Sequence, residues 1–238
     1  SYRMKVLNAE EWGRAFWQAN VNDGVNPNNN TLGYRFDWGY DQAGVPQLYG
    51  VTMQKYMDEA NTIPASDTDW FDETTRTGVV QNYNVSVRNG SERGSAYFSL
   101  GYYKNLGVIK DTDFERFAAR MNADYKLFGD VLTIGEHFTL NRTSEVTAPG
   151  GFLGNVLQYN PSFPIYNTQG EYANLTSPYS DRENPVEVLE RNKDNRYTYW
   201  RTFGDVFLSL QPIKNLTLKT TFGIDYSQKK QRIFTYPI

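Results

Sequence analysis

The single histidine of this 238-residue chain is the first place to look for catalytic chemistry, because the chain contains no cysteine. A serine hydrolase needs a serine and a carboxylate arranged around an imidazole, and a thiol protease needs a cysteine. His137 has neither a serine nor a cysteine partner at a motif spacing. We therefore expect no catalytic site, predict that the chain is not an enzyme, and interpret His137 as a polar residue on a strand.

Two Asp-rich segments could supply oxygen ligands to a cation: "NVNDG" at 20–24 and "SDTDWFDE" at 66–73. Neither has the spacing of an EF-hand loop with its terminal glutamate. Both are predicted to be solvated loops, so calcium in a loop is an alternative that no motif supports. The absence of cysteine also excludes disulfides and thiolate metal sites. We expect no metal and no other cofactor.

Aromatic residues make up 16% of the chain, with 18 Tyr, 14 Phe and 5 Trp. Aromatic rings stack on sugars and anchor protein interfaces. Seven of them lie in segments predicted to be loops and are candidates for contact with a substrate or a partner: Trp38, Tyr40, Tyr49, Trp70, Tyr159, Tyr166 and Tyr172.

Composition leaves two classes of protein open. The net charge is −3 and neither end of the chain carries a basic cluster, so no nucleic-acid partner is expected. No run of 18 apolar residues is present, so no transmembrane helix is predicted. A mean hydropathy of −0.65 does not exclude a membrane barrel, since only alternate residues of its strands face lipid. A tyrosine-rich soluble β-sandwich would have the same composition.

The elements that must position these residues are mostly strands. Apolar and polar residues alternate with a period of two, which predicts strands over 82–88, 95–105, 114–128, 131–142, 199–211 and 216–228. A helix is predicted near 8–20, with Asn8 as its cap and a shared face formed by Trp12, Ala15, Phe16 and Ala19. Residues 31–77 show no sustained period and are predicted to form elaborate loops.

The connections between the predicted strands are of two kinds. Tight turns are predicted at 89–94, 127–130 and 212–215, whereas 1–78 and 143–198 are long segments and 106–113 is a shorter loop. Outer-membrane barrels have short periplasmic turns and long extracellular loops, a rule that soluble sandwiches do not follow. The pattern therefore predicts an all-β fold, an antiparallel segment of a transmembrane β-barrel; a soluble all-β carbohydrate-binding module is the alternative.

Residues 82–142 resemble the early barrel of the SusC/RagA family of TonB-dependent outer-membrane importers. Matching positions fall in four blocks: Asn84, Ser86, Gly90, Ser91 and Glu92; Ser99, Leu100, Gly101, Tyr102 and Gly107; Thr112, Asp113, Phe114, Arg116, Arg120, Asn122 and Asp124; and Ile134, Gly135 and Glu136. The segments "VLNAEEW", "YNPSFPIYNTQGEY" and "NPVEVLE" also resemble the family. Arg88-Asn89 departs from the usual Ser-Gly, which affects one turn only.

The resemblance implies a fragment of a much longer protein whose barrel has 22 strands and an N-terminal plug. It implies a post-plug segment and extracellular loop over 1–78, barrel strands over 79–142, a long extracellular loop over 143–198 and barrel strands over 199–238. The expected location is the outer membrane of a Gram-negative bacterium of the Bacteroidetes.

The function that the resemblance implies is import of oligosaccharides or peptides. The expected partners are a SusD-like surface lipoprotein, TonB acting through the missing N-terminal part, the protein's own plug, and outer-membrane lipid. A structural or adhesin-type barrel whose loops bind host or matrix is a further alternative.

Residues 114–128, "FERFAARMNADYKLF", satisfy both a helical period and the period of a strand. The flanking strands, the turn that follows and the family block favour a strand. On that strand Phe117, Met121 and Tyr125 are predicted to face lipid. The residues expected to face the lumen and the plug are Arg116, Arg120, Asn122, Asp124 and Lys126.

Overall fold

A computed structural model of the chain describes residues 4–175 and 177–236. The predicted ranges 1–78, 143–198 and 199–238 also include residues 1–3, 176 and 237–238, which lie outside the described residues. The chain forms two compact units. The loop unit comprises the chain up to Thr75 together with Pro149–Arg191, and the sheet unit comprises Arg76–Ala148 together with the chain from Asn192 onwards.

The helices and strands follow one another in this order: α1 (Ala9–Asn22), β1 (Tyr34–Tyr40), β2 (Pro46–Met53), α2 (Trp70–Thr74), β3 (Val79–Ser91), β4 (Gly94–Leu106), β5 (Asp113–Leu127), β6 (Leu132–Val146), α3 (Phe152–Gln158), α4 (Pro185–Asn192), β7 (Arg196–Ile213) and β8 (Leu216–Arg232). In the described residues, no helix has both the length and the apolar character needed to cross a membrane.

The sheet unit is a six-stranded antiparallel sheet in which β3 to β8 are neighbours in chain order. Each strand corresponds to one of the six predicted from alternation, and the all-β class is confirmed. Several strands are longer than predicted: β6 continues to Val146 and β8 to Arg232. Apart from Val146, the extra residues are polar or charged, so the hydrophobic alternation ends before the hydrogen-bonded ladder does.

The ambiguous stretch 114–128 is a strand. β5 pairs along its length with β4 and β6, so that Met121 lies between Phe98 and Phe138. The helical spacing of its apolar residues has no structural counterpart.

Tight turns join the strands at one end of the sheet. Glu92 and Arg93 separate β3 from β4. The turn after β5 places Phe128 (φ 53°), Gly129 (φ 63°) and Asp130 (φ 73°) in the left-handed region. At the other end, the Arg76 guanidinium donates hydrogen bonds to the carbonyls of Gly107 and Thr112, which fixes the loop between β4 and β5.

The loop unit contains regular structure that was not predicted, although aromatic residues alternate at Tyr34, Phe36, Trp38 and Tyr40. Residues 31–77 were expected to be loops, but β1 and β2 form an antiparallel hairpin there and α2 follows. This prediction was wrong because β2 contains an irregularity: Trp38 pairs with Leu48 while Asp37 pairs with Gly50, which leaves Tyr49 as an extra residue. The bulge breaks the alternation of β2.

Helix α1 has a capping box in which the Asn8 side chain accepts from the Glu11 N–H and the Glu11 carboxylate accepts from the Asn8 N–H. Its buried residues are Ala9, Gly13 and Trp17.

The predicted face of α1 was therefore partly wrong, since Ala15 and Ala19 are exposed. The helix turns Gly13 toward the hairpin because Tyr34 approaches so closely that a β-carbon at Gly13 would lie 2.7 Å from its ring. The core beneath α1 is formed by Trp17, Tyr34 and Phe36.

Candidate functional site

The five residues predicted to face the lumen share one face of β5. Arg120 pairs with Ser99 on β4 and with Thr139 on β6, and Asn122 on the same face pairs with Tyr97 and His137. We call this surface, which also carries Asn84, Ser86, Arg201, Asp225 and Lys219, the polar face of the sheet. The registers place these side chains together. Their orientation toward a lumen or plug stays a prediction.

Several of these side chains make contacts within the polar face. The Ser95 hydroxyl donates to the Asp124 carboxylate, the Arg116 guanidinium lies 5.6 Å from the centre of the Tyr103 ring, and Lys126 Nζ is 3.6 Å from Asp130 Oδ1. Such contacts fix the positions of the side chains and do not by themselves indicate a chemical reaction.

A second cluster on the polar face was not foreseen. His137 Nδ1 lies 3.1 Å from Asp205 Oδ1, and the imidazole stacks on Phe207 with ring centres 5.5 Å apart. Lys219 Nζ lies 4.3 Å from the centre of the Phe207 ring. His137 and Asp205 are 68 residues apart, so only the register of β6 with β7 brings them together.

The opposite face, which we call the apolar face, is exposed and hydrophobic. Val85, Val87, Phe98, Leu100 and Met121 are all solvent-exposed there. A row of aromatic rings crosses it at paired positions: Tyr83, Tyr102, Phe117 and Trp200, with Arg142 between the last two. A broad apolar band edged by aromatic residues is typical of a lipid-facing barrel wall.

Three of the predicted contact residues lie on the β1–β2 hairpin of the loop unit. Tyr40 and Tyr49 are 64% and 63% exposed, and the Trp38 ring lies 5.5 Å from that of Tyr40. The Tyr49 ring packs over Gly39, where a β-carbon would be 3.5 Å from it. Tyr40 and Tyr49 are therefore exposed, and their contact with a substrate or a partner stays a prediction.

Two other predicted contact residues are buried, which corrects their interpretation. Trp70 is 2% exposed and Tyr159 is 4% exposed, and their rings pack edge to face 4.8 Å apart. Trp70 Nε1 donates to the Asn160 carbonyl, and burial raises the pKa of the Tyr159 hydroxyl. Because both rings fill the core of the loop unit, neither presents a face to a ligand in this structure.

The remaining predicted pair, Tyr166 and Tyr172, comes together across a β-bridge with ring centres 5.1 Å apart. Tyr172 lines a cavity of about 580 Å³ together with Asn167, Glu171 and Glu187. Burial, aided by a hydrogen bond with Tyr166, raises the pKa of Tyr172 to about 12. The cavity therefore offers a neutral phenol beside carboxylate and amide groups, which suits a polar ligand.

A further cavity of about 400 Å³ in the loop unit was missed. Trp12, Phe163 and Tyr179 supply aromatic surface, and the Arg182 guanidinium donates to Gln158 Oε1 at its edge. The sequence signal that could have indicated it is the run of polar residues and proline at 177–182, but this segment meets Trp12 only through the fold.

The acidic segment 66–73 has structural roles. Asp67 Oδ1 accepts from the Ala9 N–H at 2.7 Å, and Asp69 Oδ1 accepts from the Asp72 N–H at the start of α2. Within the described residues, no group of three or more His, Asp or Glu side chains could hold a metal ion.

Comparison with known proteins gives consistent matches in sequence. No family model matches the chain. It is 29% identical over 185 residues to TonB-dependent receptor P26 of Formosa agariphila, covering 76% of this chain and 18% of that receptor. It is 26% identical over 214 residues to TonB-dependent receptor SusC of Bacteroides thetaiotaomicron, covering 80% of this chain and 21% of SusC. The chain thus spans about a fifth of the length of these relatives.

Comparison of the fold with solved structures also gives a match to an importer. The chain is similar to the structure of the RagAB peptide importer in its closed-closed state, with a TM-score of 0.55 and 20% sequence identity over 72% of this chain and 20% of that one. The match shows that the six-stranded sheet has the fold of a stretch of such a barrel. The sequence matches support a SusC/RagA-type TonB-dependent receptor over part of its length, and the fold match agrees with them.

Proposed function

We propose that this chain forms part of the wall and the extracellular surface of a TonB-dependent importer in a bacterial outer membrane. The observation that carries the proposal is the two-sided six-stranded sheet, with an aromatic-edged apolar face on one side and a charged face on the other. Its similarity to SusC and to the RagAB structure supports the same function.

In this proposal the chain performs no bond chemistry. The apolar face contacts lipid, and the polar face, with Arg116, Arg120, Asn122, Asp124 and Lys126, lines the lumen and contacts a plug domain. TonB supplies the energy for transport by acting on an N-terminal part of the protein.

The loop unit then captures the substrate outside the cell together with a SusD-like surface lipoprotein. Exposed rings on the hairpin and the polar cavity beside Tyr172 supply surfaces for an oligosaccharide or a peptide. One of the similar structures is that of a peptide importer, and both oligosaccharides and peptides are candidate substrates of this chain.

Uptake by the full-length protein tests the proposal. Deletion of its gene should abolish growth on the imported glycan or peptide, and the intact gene should restore it. Disruption of tonB should have the same effect as the deletion. Ligand binding at the cell surface without uptake would favour an adhesin-type barrel, and a protein that remains soluble without detergent would favour a carbohydrate-binding module.

A further inference from the structure

A carboxyl group lies within the apolar face of the sheet. Glu136 on β6 pairs with Ala123 on β5 and Val206 on β7, both of which point to the apolar side. One part of the apolar face lies between the Tyr83–Trp200 row and the tight turns. Among its described residues, Glu136 is the only Asp, Glu, Lys or Arg. Glu136 Oε2 is buried and has no hydrogen-bond partner.

Glu136 lies in a cavity of about 630 Å³ within the sheet unit. Its floor is formed by small residues at Gly94, Ala96 and Ala123, and its walls by larger side chains. We call this cavity the Glu136 pocket. The wall residues are Tyr125, Ile134, Phe138 and Val206.

An ionisable group on a lipid-facing surface is costly unless a partner compensates it. Inside the Glu136 pocket the small floor residues leave room for a ligand next to the carboxylate. No Lys, Arg or His of the described chain lines it; Asn89 and Ser91 are uncharged, and the registers place the side chains of Ser95 and Asp124 on the polar face. A cation that compensates Glu136 must therefore come from the molecule that occupies the pocket.

We propose that the Glu136 pocket binds the primary ammonium headgroup of an aminophospholipid, with the lipid chains lying along the apolar face. This inference rests on the proposed function, because lipid reaches this face only in a membrane-inserted barrel. Three features of the pocket fit such a lipid: a carboxylate for the ammonium, apolar walls for the chains, and a position next to the β3–β4 turn. In barrels such tight turns lie at the membrane surface, where headgroups are found.

The test uses the full-length receptor, purified and exposed to equal amounts of phosphatidylethanolamine, phosphatidylcholine and phosphatidylglycerol. Native mass spectrometry then counts the retained lipids. The unaltered protein should retain about ten times more phosphatidylethanolamine than phosphatidylglycerol, because the free energy of one charge-assisted hydrogen bond corresponds to a ratio of affinities of about this size. Phosphatidylcholine, whose ammonium has no N–H donor, should be retained less.

Glu136→Gln should abolish the preference, and Ala123→Phe, which fills the pocket and keeps the carboxylate, should abolish it too. Glu92→Gln, in the exposed turn between β3 and β4, is the matched control and should leave it unchanged. The thermal midpoint of each variant verifies that it folds.

Equal preference in the unaltered protein and in Glu136→Gln would overturn the proposal. A dimer that dissociates in Glu136→Gln would overturn it as well, in favour of a cation from a second copy. Failure of the unaltered protein to insert into liposomes would contradict the proposed function itself, whereas insertion without any lipid preference would contradict only the lipid site.

Discussion

The ring of Phe207 on β7 lies directly across Gly135 on β6, in the space that a β-carbon of Gly135 would occupy. Phe207 is on the polar face, where the alternation of β7 predicts a polar residue. The contact accounts for this exception: the ring covers the backbone left bare by glycine and stacks on His137.

Gly135→Ala should destabilise the barrel, because the added methyl group forces the Phe207 ring away from β6. Overpacking of this kind costs about 1–3 kcal/mol. The loss of stability is measured by thermal unfolding of the full-length protein, followed by heat-dependent electrophoretic mobility. Gly90→Ala is the control, because no atom lies within 4 Å of a β-carbon at that site on the same face.

A double-mutant cycle isolates the contact. If Gly135→Ala acts through the ring, it should cost much less in a Phe207→Ala background. Equal costs in both backgrounds would show that backbone conformation, and not the ring, requires glycine at 135.

Arg196 and Asp113 form a clamp across three strands at the end of the sheet opposite to the tight turns. Arg196 Nη1 and Nη2 donate to the two carboxylate oxygens of Asp113 at 3.0 and 2.9 Å, and Nη1 also donates to Ser144 Oγ. Arg196→Lys cannot form the paired bonds and should cost about 1 kcal/mol, since the pair is partly exposed to solvent. Chemical denaturation of the two proteins measures the difference, and an unchanged midpoint would show that the clamp contributes nothing.

Trp70 and Tyr40, both predicted as contact residues, should behave differently on substitution. Trp70→Ala removes a buried ring and its hydrogen bond to Asn160, and should cost about 3–5 kcal/mol. Tyr40→Ala removes an exposed ring and should change stability by no more than about 0.5 kcal/mol. Binding of the substrate or partner, measured by calorimetry, should be weaker for Tyr40→Ala, although the variant is as stable as the unaltered protein. Loss of stability in Tyr40→Ala would contradict its exposed position.

Tyr34 should make the loop unit sensitive to alkaline pH. Burial raises the pKa of its hydroxyl from 10.0 to about 12, and the hydroxyl donates to the Ala9 carbonyl at 2.8 Å. Since the folded pKa is the higher one, the stabilising contribution is complete below pH 10 and is lost as the pH rises through about 12. Tryptophan fluorescence across this range should show a loss of structure that Tyr34→Phe reduces. Identical profiles for both proteins would contradict the assignment.

The six long strands could be predicted because alternation is a local signal. Each strand has enough apolar residues on one side to reveal its period, and the turns 89–94, 127–130 and 212–215 separate strands that pair with each other. The stretch 114–128 needed its neighbours, because its own residues satisfy two periods. Only its pairing with β4 and β6 decides between them.

The loop unit could not be predicted in the same way. Its contacts join residues far apart in the chain, such as Trp70 and Asn160, which are 90 residues apart. Aromatic residues in polar segments were therefore interpreted as exposed, whereas Trp70 and Tyr159 form a core. In the hairpin, the aromatic residues of β1 alternate, but the bulge at Tyr49 breaks the alternation of β2, so the partner strand of β1 was not evident.

The proposed function requires β5 to be a membrane-spanning strand with lipid on one side. Because this chain contains no cysteine, single cysteines can be placed at successive positions from 115 to 126 of the full-length protein and spin-labelled after reconstitution in liposomes. Collision rates with oxygen, which concentrates in lipid, and with a water-soluble nickel complex are then compared. We expect a period of two, with Met121→Cys accessible to oxygen and Arg120→Cys not. A period near 3.6, or equal access of the nickel complex to both positions, would contradict it.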